Sequence, residues 1–326
     1  MLEGATEPRC STDPVDPLFI LAPPRSSTSI ICAMLGQHPQ MYGLPELNLF
    51  SAETLGEWLN LSSQATHKMD HGLLRVTSQL FFGGQSEKAV KRAAGWLRRR
   101  SHFTTGALLE LIAQNVYPRI LVEKSPSVVY QAEFLQRLYR MFPNAKFMHL
   151  VRHPRAQGES VMKYLQALPS HDSVWVRYLA GYPSLSSREA EAMDPLSDLD
   201  PQRGWYALNM NICEFLEAVP KQQKLRVRGE DLLSDPDRIL GQIASWIGVK
   251  ADFQSIQEMK HPERSPYSKL GPRGARFGND LNFLNDPFFR MRIIKTETLD
   301  GPLRWRADGS GFLPQVRDLA REFGYR

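Results

Sequence analysis

The sequence predicts a doubly wound α/β domain built on a parallel, P-loop-like sheet and carrying a large helical insertion. Three observations predict it. Four short runs at residues 18–21, 120–122, 146–151 and 225–228, the first three mostly apolar and the fourth alternating Leu-Arg-Val-Arg, have the length of strands. Each ends in prolines, charge or glycine, and each is followed by apolar residues at helical spacing. Strands alternating with helices in this order build a parallel sheet, and such sheets bind ligands at the C-terminal ends of their strands.

The first run, Leu18-Phe19-Ile20-Leu21, is stopped by Pro23-Pro24, and the loop Arg25-Ser26-Ser27-Thr28-Ser29 follows. Ile30, Ile31, Met34 and Leu35 then recur as one helical face, so a hydroxyl-rich loop lies against a helix N-terminus. Free backbone N–H groups, the positive end of the helix dipole, the hydroxyls and Arg25 together outline an anion site. Beyond His38-Pro39 the chain runs extended through Tyr42-Gly43-Leu44-Pro45 to Glu46-Leu47-Asn48-Leu49-Phe50. The leucines and Phe50 pack, which leaves Glu46 and Asn48 polar in an apolar setting. The residues alone leave Glu46 open between an ion-paired or capping carboxylate and a desolvated general base.

Residues 52–117 read as helices, with Gly83-Gly84 and residues 101–105 as punctuation. They form an insertion between the first and second strands, able to cover a site or hold an acceptor. The second strand ends in Glu123-Lys124-Ser125-Pro126, with Ser125 expected to cap a helix running from Ser127 to about Met141. Lys124 thus falls at a ligand-binding strand end. The third strand ends in Arg152-His153-Pro154-Arg155, a helix runs on to about Leu168, and Ser160 lies eight residues after Arg152. This is a second candidate phosphate site.

Residues 169–201 lack periodicity and are expected to be loops with short helices. A helix over 204–219 leads to the fourth strand, and Gly229-Glu230-Asp231-Leu232 opens a helical stretch to Ile247, punctuated at Ser234-Asp235-Pro236. Between 261 and 286 the chain is basic and glycine-containing, with Arg273, Gly274 and Arg276 able either to fork around a phosphate or to lie in a solvated loop. A short helix over 313–323 ends the chain.

Composition narrows the class. A hydrophobic fraction of 42% and a charged fraction of 23% are those of a folded globular protein. The net charge of +5 is too small to argue for nucleic acid. Arg98-Arg99-Arg100 reads as a solvated helix end. Cys10, Cys32 and Cys213 are scattered without metal-ligand spacing, which suits free thiols in a reducing compartment. No stretch approaches the apolar length of a membrane span and no signal-peptide core is present, so a cytoplasmic location is expected. Residues 1–17 read as a linker and 18–326 as the domain, the pattern of a domain cut from a longer polypeptide. A Walker-type kinase is excluded by residues: no Gly-x-x-x-x-Gly-Lys-Ser/Thr occurs, and without a matched acidic ligand no metal is expected.

In these features the chain resembles sulfotransferases that use 3′-phosphoadenosine 5′-phosphosulfate. Their 5′-phosphosulfate loop reads Pro, Arg or Lys, Ser, Gly, Thr, then Thr or Ser, and Pro24, Arg25, Ser26, Ser27, Thr28 and Ser29 match it with Ser27 in place of glycine. Arg152 with Ser160 matches the 3′-phosphate element, 227–232 matches the strand leading into Glu-Asp-Leu, and 273–278 matches the late Arg-Gly loop. The resemblance implies a sulfotransferase fold, this donor and adenosine 3′,5′-bisphosphate as product. It implies Arg25 and Lys124 on the bridging and leaving oxygens, Ser26 to Ser29 around the 5′-phosphate, and Arg273, Gly274 and Arg276 at the nucleotide. Gly229 stands where cytosolic members carry an adenine-contacting aromatic, so stacking must come from elsewhere, with Tyr42 and Trp205 conceivable.

Members acting on small molecules place a His in a Lys-x-His segment, where this chain has Lys124-Ser125-Pro126. Carbohydrate- and protein-modifying members use a Glu soon after the first helix, which Glu46 matches; His261 is the competing base. Pro45 to Phe50, Gly72 to Arg75 and Gly278 to Asp280 look similar to sulfotransferase domains of polyketide assembly lines. That likeness implies a β-hydroxyacyl chain on the phosphopantetheine of an acyl carrier protein as acceptor, neighbouring assembly-line domains as partners, and sulfation preparing decarboxylation to a terminal alkene. Arg75, Arg203 and residues 98–100 are then expected to meet the carrier. A free-standing carbohydrate or lipid sulfotransferase is the alternative within the class, and a non-catalytic adenosine-bisphosphate-binding module the alternative outside it.

Overall fold

The computed structural model describes residues 16–65, 69–166, 199–291 and 297–326. Five parallel strands form one sheet: β1 (Leu18–Leu21), β2 (Met41–Gly43), β3 (Ile120–Glu123), β4 (Lys146–Val151) and β5 (Lys224–Arg228). Their order is β2-β3-β1-β4-β5. Leu18 stands in register with both Val122 and Lys146, so β1 is central, flanked by strands that come later in the chain. Connections leave β1 and β4 in opposite directions, and this reversal opens a crevice at the strand ends. The turns after β1, β3 and β4 therefore meet although they are far apart in sequence.

Both faces of the sheet are covered, as a parallel sheet requires. Side chains alternate across each strand. Phe19, Leu21, Leu121 and Phe147 enter a core shared with the helical insertion. Leu18, Ile20, Val122, Met148 and Leu150 face the other way, onto α1 (Thr28–Leu35) and a helix over Pro236–Ile247. The insertion supplies α2 (Leu55–Gln64), α3 (His71–Phe81), α4 (Glu87–Arg98) and α5 (Thr105–Val116). A capping box between Thr54 and Glu57 starts α2, and Ser86 and Thr104 cap α4 and α5.

Three local expectations are corrected. Residues 41–43, read only as extended chain, form β2, and the insertion lies between β2 and β3. Gly43 lets β2 sit against α1: a Cβ there would come within 2.6 Å of the Cys32 carbonyl oxygen. The helix expected from Ser127 is instead a 3₁₀ turn, Pro126–Val129, followed by α6 (Ala132–Met141). Asn211 explains the break, because its side-chain amide donates to the carbonyls of Val129 (3.0 Å) and Tyr130 (3.4 Å). Ser125 makes no side-chain cap and is turned to another use, described below.

The remaining helices are α7 (Pro154–Gln166), α8 (Pro201–Glu217), α9 (Gly229–Ser234), α10 (Pro236–Ile247), α11 (Phe253–Glu258), α12 (Leu281–Asn285) and α13 (Pro314–Glu322). A third core joins Val151, Trp205, Leu319 and Phe323, which fixes α13 to the sheet. The expected loops over 169–198, Cys10 and most of the expected linker lie outside the described residues.

Candidate active site

The turn after β1 has the backbone of an anion loop and a tension within it. Arg25 and Ser27 both lie in the left-handed region, at φ 66° and 61°. Ser27 is the N-cap of α1 but makes no side-chain cap bond, so its side chain offsets none of the cost of that conformation. The Ser26 hydroxyl is buried and meets no hydrogen-bond partner among the described residues. Buried polar groups are normally satisfied, so this hydroxyl and the first N–H groups of α1 suit an anion's oxygens.

Lys124, at the end of β3, reaches into the same crevice and is 1% exposed. Its ammonium donates to Ser29 Oγ (2.9 Å), Glu46 Oε1 (2.6 Å) and Asn279 Oδ1 (3.3 Å). Three acceptors satisfy its three protons, which is what a buried ammonium requires. The Glu46 side chain is 24% exposed, so one carboxylate is both ion-paired and open to the crevice. The two readings of Glu46 are therefore compatible.

The backbone of Glu46 is held from two sides. Its N–H donates to the Gly278 carbonyl (2.7 Å). Gly72, near the start of α3, lies so close that a Cβ there would overlap the Glu46 carbonyl oxygen. The stretches around 46, 72 and 278 thus meet at one place, and α3 of the insertion forms a wall of the site.

Glu123 and Ser125 fix the turn from below. Ser125 Oγ accepts the N–H groups of Leu47 (3.0 Å) and Asn48 (2.8 Å) and donates to the Glu123 carboxylate. Asn48, itself left-handed, is held by Ser127 Oγ on its side chain (2.8 Å) and by Trp58 Nε1 on its carbonyl (2.8 Å). Burial pushes the Glu123 carboxyl up to about 7 against the lowering effects of Ser125 and Lys124. Reading the sequence missed both residues as site groups; the one signal was two adjacent charges, Glu123 and Lys124, at a strand end.

Arg25 and Arg152 supply charge on the other side. Arg25 Nε donates to Ser160 Oγ (3.2 Å), its guanidinium pairs with Asp280, and it lies 5.3 Å over the Tyr164 ring. Arg152 donates to the Arg25 carbonyl, and the Trp205 indole N–H donates to the Arg152 carbonyl (2.9 Å). Arg25, Ser29, Glu46, Lys124, Arg152 and Ser160 are thereby brought together. Tyr164, Asn279 and Asp280 join them, although the sequence had pointed to none as a site group.

Other expectations fall elsewhere. His261 is 43% exposed on its side chain and pairs with Glu263 (2.9 Å), not with Lys124 or Glu46. Arg273, Gly274 and Arg276 lie in an exposed turn packed on α3 and α4, and a Cβ on Gly274 would touch Val90. Arg75 cannot meet a carrier: it is 1% exposed and donates to Gln85 Oε1 (2.6 Å) and the carbonyls of Lys269 (2.8 Å) and Phe277 (3.0 Å). It is a strut holding the late loop. Tyr42 and Trp205 are both buried, Tyr42 bonded to the Tyr267 hydroxyl (2.9 Å), so neither offers a face to adenine. Arg98 and Arg99 are exposed at the end of α4, while Arg100 stacks on Trp96. Arg203 is exposed near Asp200. Cys32 is buried and its thiol is pushed up to about 12 by burial, so it is unreactive at neutral pH.

Among the described residues no group of three His, Cys, Asp or Glu side chains is placed to hold a metal, and no helix is long and apolar enough to cross a membrane.

Comparison with known proteins gives a consistent result. The model of the sulfotransferase family matches residues 17–253. The nodulation protein NoeE of Sinorhizobium fredii (strain NBRC 101917 / NGR234) is 24% identical over 269 residues, which cover 78% of this chain and 55% of that protein. The chain thus spans about half the length of that relative. The sulfotransferase domain of the Synechococcus PCC 7002 olefin synthase superposes with a TM-score of 0.68 at 24% identity, covering 99% of both chains. The sulfotransferase domain from the curacin biosynthetic pathway gives 0.67 at 20% identity, covering 95% of this chain and 98% of its own. These two likenesses extend the shared fold over nearly the whole chain, including the helical insertion.

Proposed function

This chain belongs to the sulfotransferase family, and from that premise we propose that it moves a sulfuryl group from 3′-phosphoadenosine 5′-phosphosulfate to the β-hydroxyl of an acyl chain on an acyl carrier protein. The observation that carries the transfer reading is the junction of Lys124 with Ser29 and Glu46, which joins the anion loop to a carboxylate open to the crevice. A module that only bound a nucleotide would need neither the buried cation nor the carboxylate beside it. The acceptor reading is supported by the near full-length fold shared with sulfotransferase domains of an olefin synthase and of the curacin pathway. In that reading sulfation prepares decarboxylative elimination to a terminal alkene, and the partners are the carrier's phosphopantetheine and neighbouring assembly-line domains.

The residues suit the donor. The loop 24–29 offers main-chain N–H groups at the N-terminus of α1 and the unpartnered Ser26 hydroxyl, and Arg25 and Lys124 offer charge. Ser26, Ser27, Thr28 and Ser29 would hold the 5′-phosphate end, with Arg152 and Ser160 toward the 3′-phosphate. When bound, the donor supplies an activated sulfuryl group whose departure leaves a phosphate oxygen.

The chain's own groups then divide the work. Glu46 accepts the proton of the acceptor hydroxyl, for which its carboxylate must be ionised and reachable. Lys124 donates to that carboxylate and directs it, and its charge, with that of Arg25, opposes the negative charge that develops on oxygen. The bonds from Ser125 and Gly278 fix the turn carrying Glu46, so little reorganisation is needed.

The test is incubation of the purified chain with labelled donor and a panel of β-hydroxyacyl carrier proteins, sugars and lipids, read by intact mass. Sulfation of a carrier-bound hydroxyl supports the reading. Sulfation of a sugar or lipid alone moves the chain to the carbohydrate and lipid branch, and nucleotide binding without transfer marks a non-catalytic module.

A further inference from the structure

The loop from Gly278 to Asp280 closes on the charged groups of the crevice. The Asp280 carboxylate pairs with Arg25, while the Asp280 N–H donates to Ser29 Oγ (3.2 Å). One residue earlier, Asn279 Oδ1 accepts from Lys124 (3.3 Å). The two cations assigned to the donor's anionic end are thus both engaged by one loop. That loop is anchored: Asp280 Oδ1 accepts the Asn282 N–H (2.9 Å) and caps α12, whose Phe283 and Leu284 pack against Ile30 and Ala33 of α1.

A guanidinium paired with a carboxylate is a poor target for a weak anion. An incoming group must offer more charge than Asp280 or pay like-charge repulsion beside it. We infer that Asp280 is a specificity-determining residue of the donor site, an internal carboxylate that occupies Arg25 and that the donor's phosphosulfate or phosphate must displace. The inference rests on the donor reading above. Asp280 thereby sets a threshold: a group as weakly charged as a carboxylate gains nothing by replacing it, whereas a phosphate or phosphosulfate end does.

The test is calorimetric titration of the full chain with adenosine 3′,5′-bisphosphate at low ionic strength. Asp280→Asn keeps a good helix cap and the backbone N–H but removes the competing charge. The expected result is a Kd lower than the parent's by about fivefold or more, the size of a modest coupling between sites. Asp280→Ala, which loses charge and cap together, is also expected to bind more tightly than the parent. If Asp280 only stabilised the loop, Asp280→Ala would bind more weakly and Asp280→Asn would bind about as the parent does. An unchanged or weaker Kd in folded Asp280→Asn, with folding read by thermal unfolding, overturns the inference while leaving the donor site intact. Binding by neither parent nor variant overturns the donor reading itself and the inference with it.

Discussion

Lys124 and Ser27 are the two residues on which the chemistry and the local strain of the site turn. Lys124 is buried and donates to Ser29, Glu46 and Asn279, so truncating it removes a positive charge and the partner that directs Glu46. Lys124→Ala and Glu46→Gln are each expected to lower transfer by about a hundredfold or more, the scale of a lost charge stabiliser or general base. Nucleotide affinity should stay within a few-fold, because the loop 24–29 and Arg152 remain. Turnover compared with calorimetric affinity checks this, and normal transfer by the double variant would contradict it. Ser27 shows a different economy. Its φ of 61° and its missing cap bond mean that glycine fits the position better. Ser27→Gly should therefore raise the unfolding free energy by about 1 kcal/mol, the relief of a left-handed residue, less glycine's own entropy. A denaturant midpoint that falls would contradict the account.

At the scale of elements, the end of β3 divides its residues between two tasks. Lys124 faces the crevice, while Glu123 and Ser125 support the turn that carries Glu46. Burial raises the Glu123 carboxyl to about 7 from an ordinary value near 4.5, so the folded state holds a proton that the unfolded chain releases. That contribution is fully present below the unfolded value and is lost as pH rises through about 7. Stability should thus fall from pH 4.5 to about 7, and Glu123→Gln should flatten that part of the profile, as read by denaturant midpoints across the range. The late loop depends on Arg75 in a comparable way. Arg75→Met leaves Gln85 and the carbonyls of Lys269 and Phe277 without their donor, and should cost about 3 kcal/mol. Parent-like stability of that variant would mean that the strut carries little of the loop.

For the molecule as a whole, the reversal of strand order at β1 gathers turns that are distant in sequence. The strand ends at Arg25, Lys124 and Arg152 were readable, because a short apolar run ending in charge is a local pattern. Glu46 was readable as a polar group among leucines, but its partner was not, since pairing with Lys124 spans the whole insertion. Three further features depend on packing that no local pattern carries. Strand β2 is three residues long and rests on Gly43 meeting α1. The break before α6 is set by Asn211, far along the chain. Arg75 looks like a surface cation from its helical position and is buried only because the late loop folds over it. Asp280 belongs to the same class, as its meeting with Arg25 requires the last third of the chain to return to the first turn. These gathered turns are proposed to transfer a sulfuryl group to a hydroxyl. The most direct test of that transfer is the intact mass of a β-hydroxyacyl carrier protein after incubation with donor and enzyme, without added metal. The account predicts a gain of one SO₃ group with the parent chain and none with Lys124→Ala/Glu46→Gln. An unmodified carrier with the parent, or an equal gain with the double variant, would contradict it.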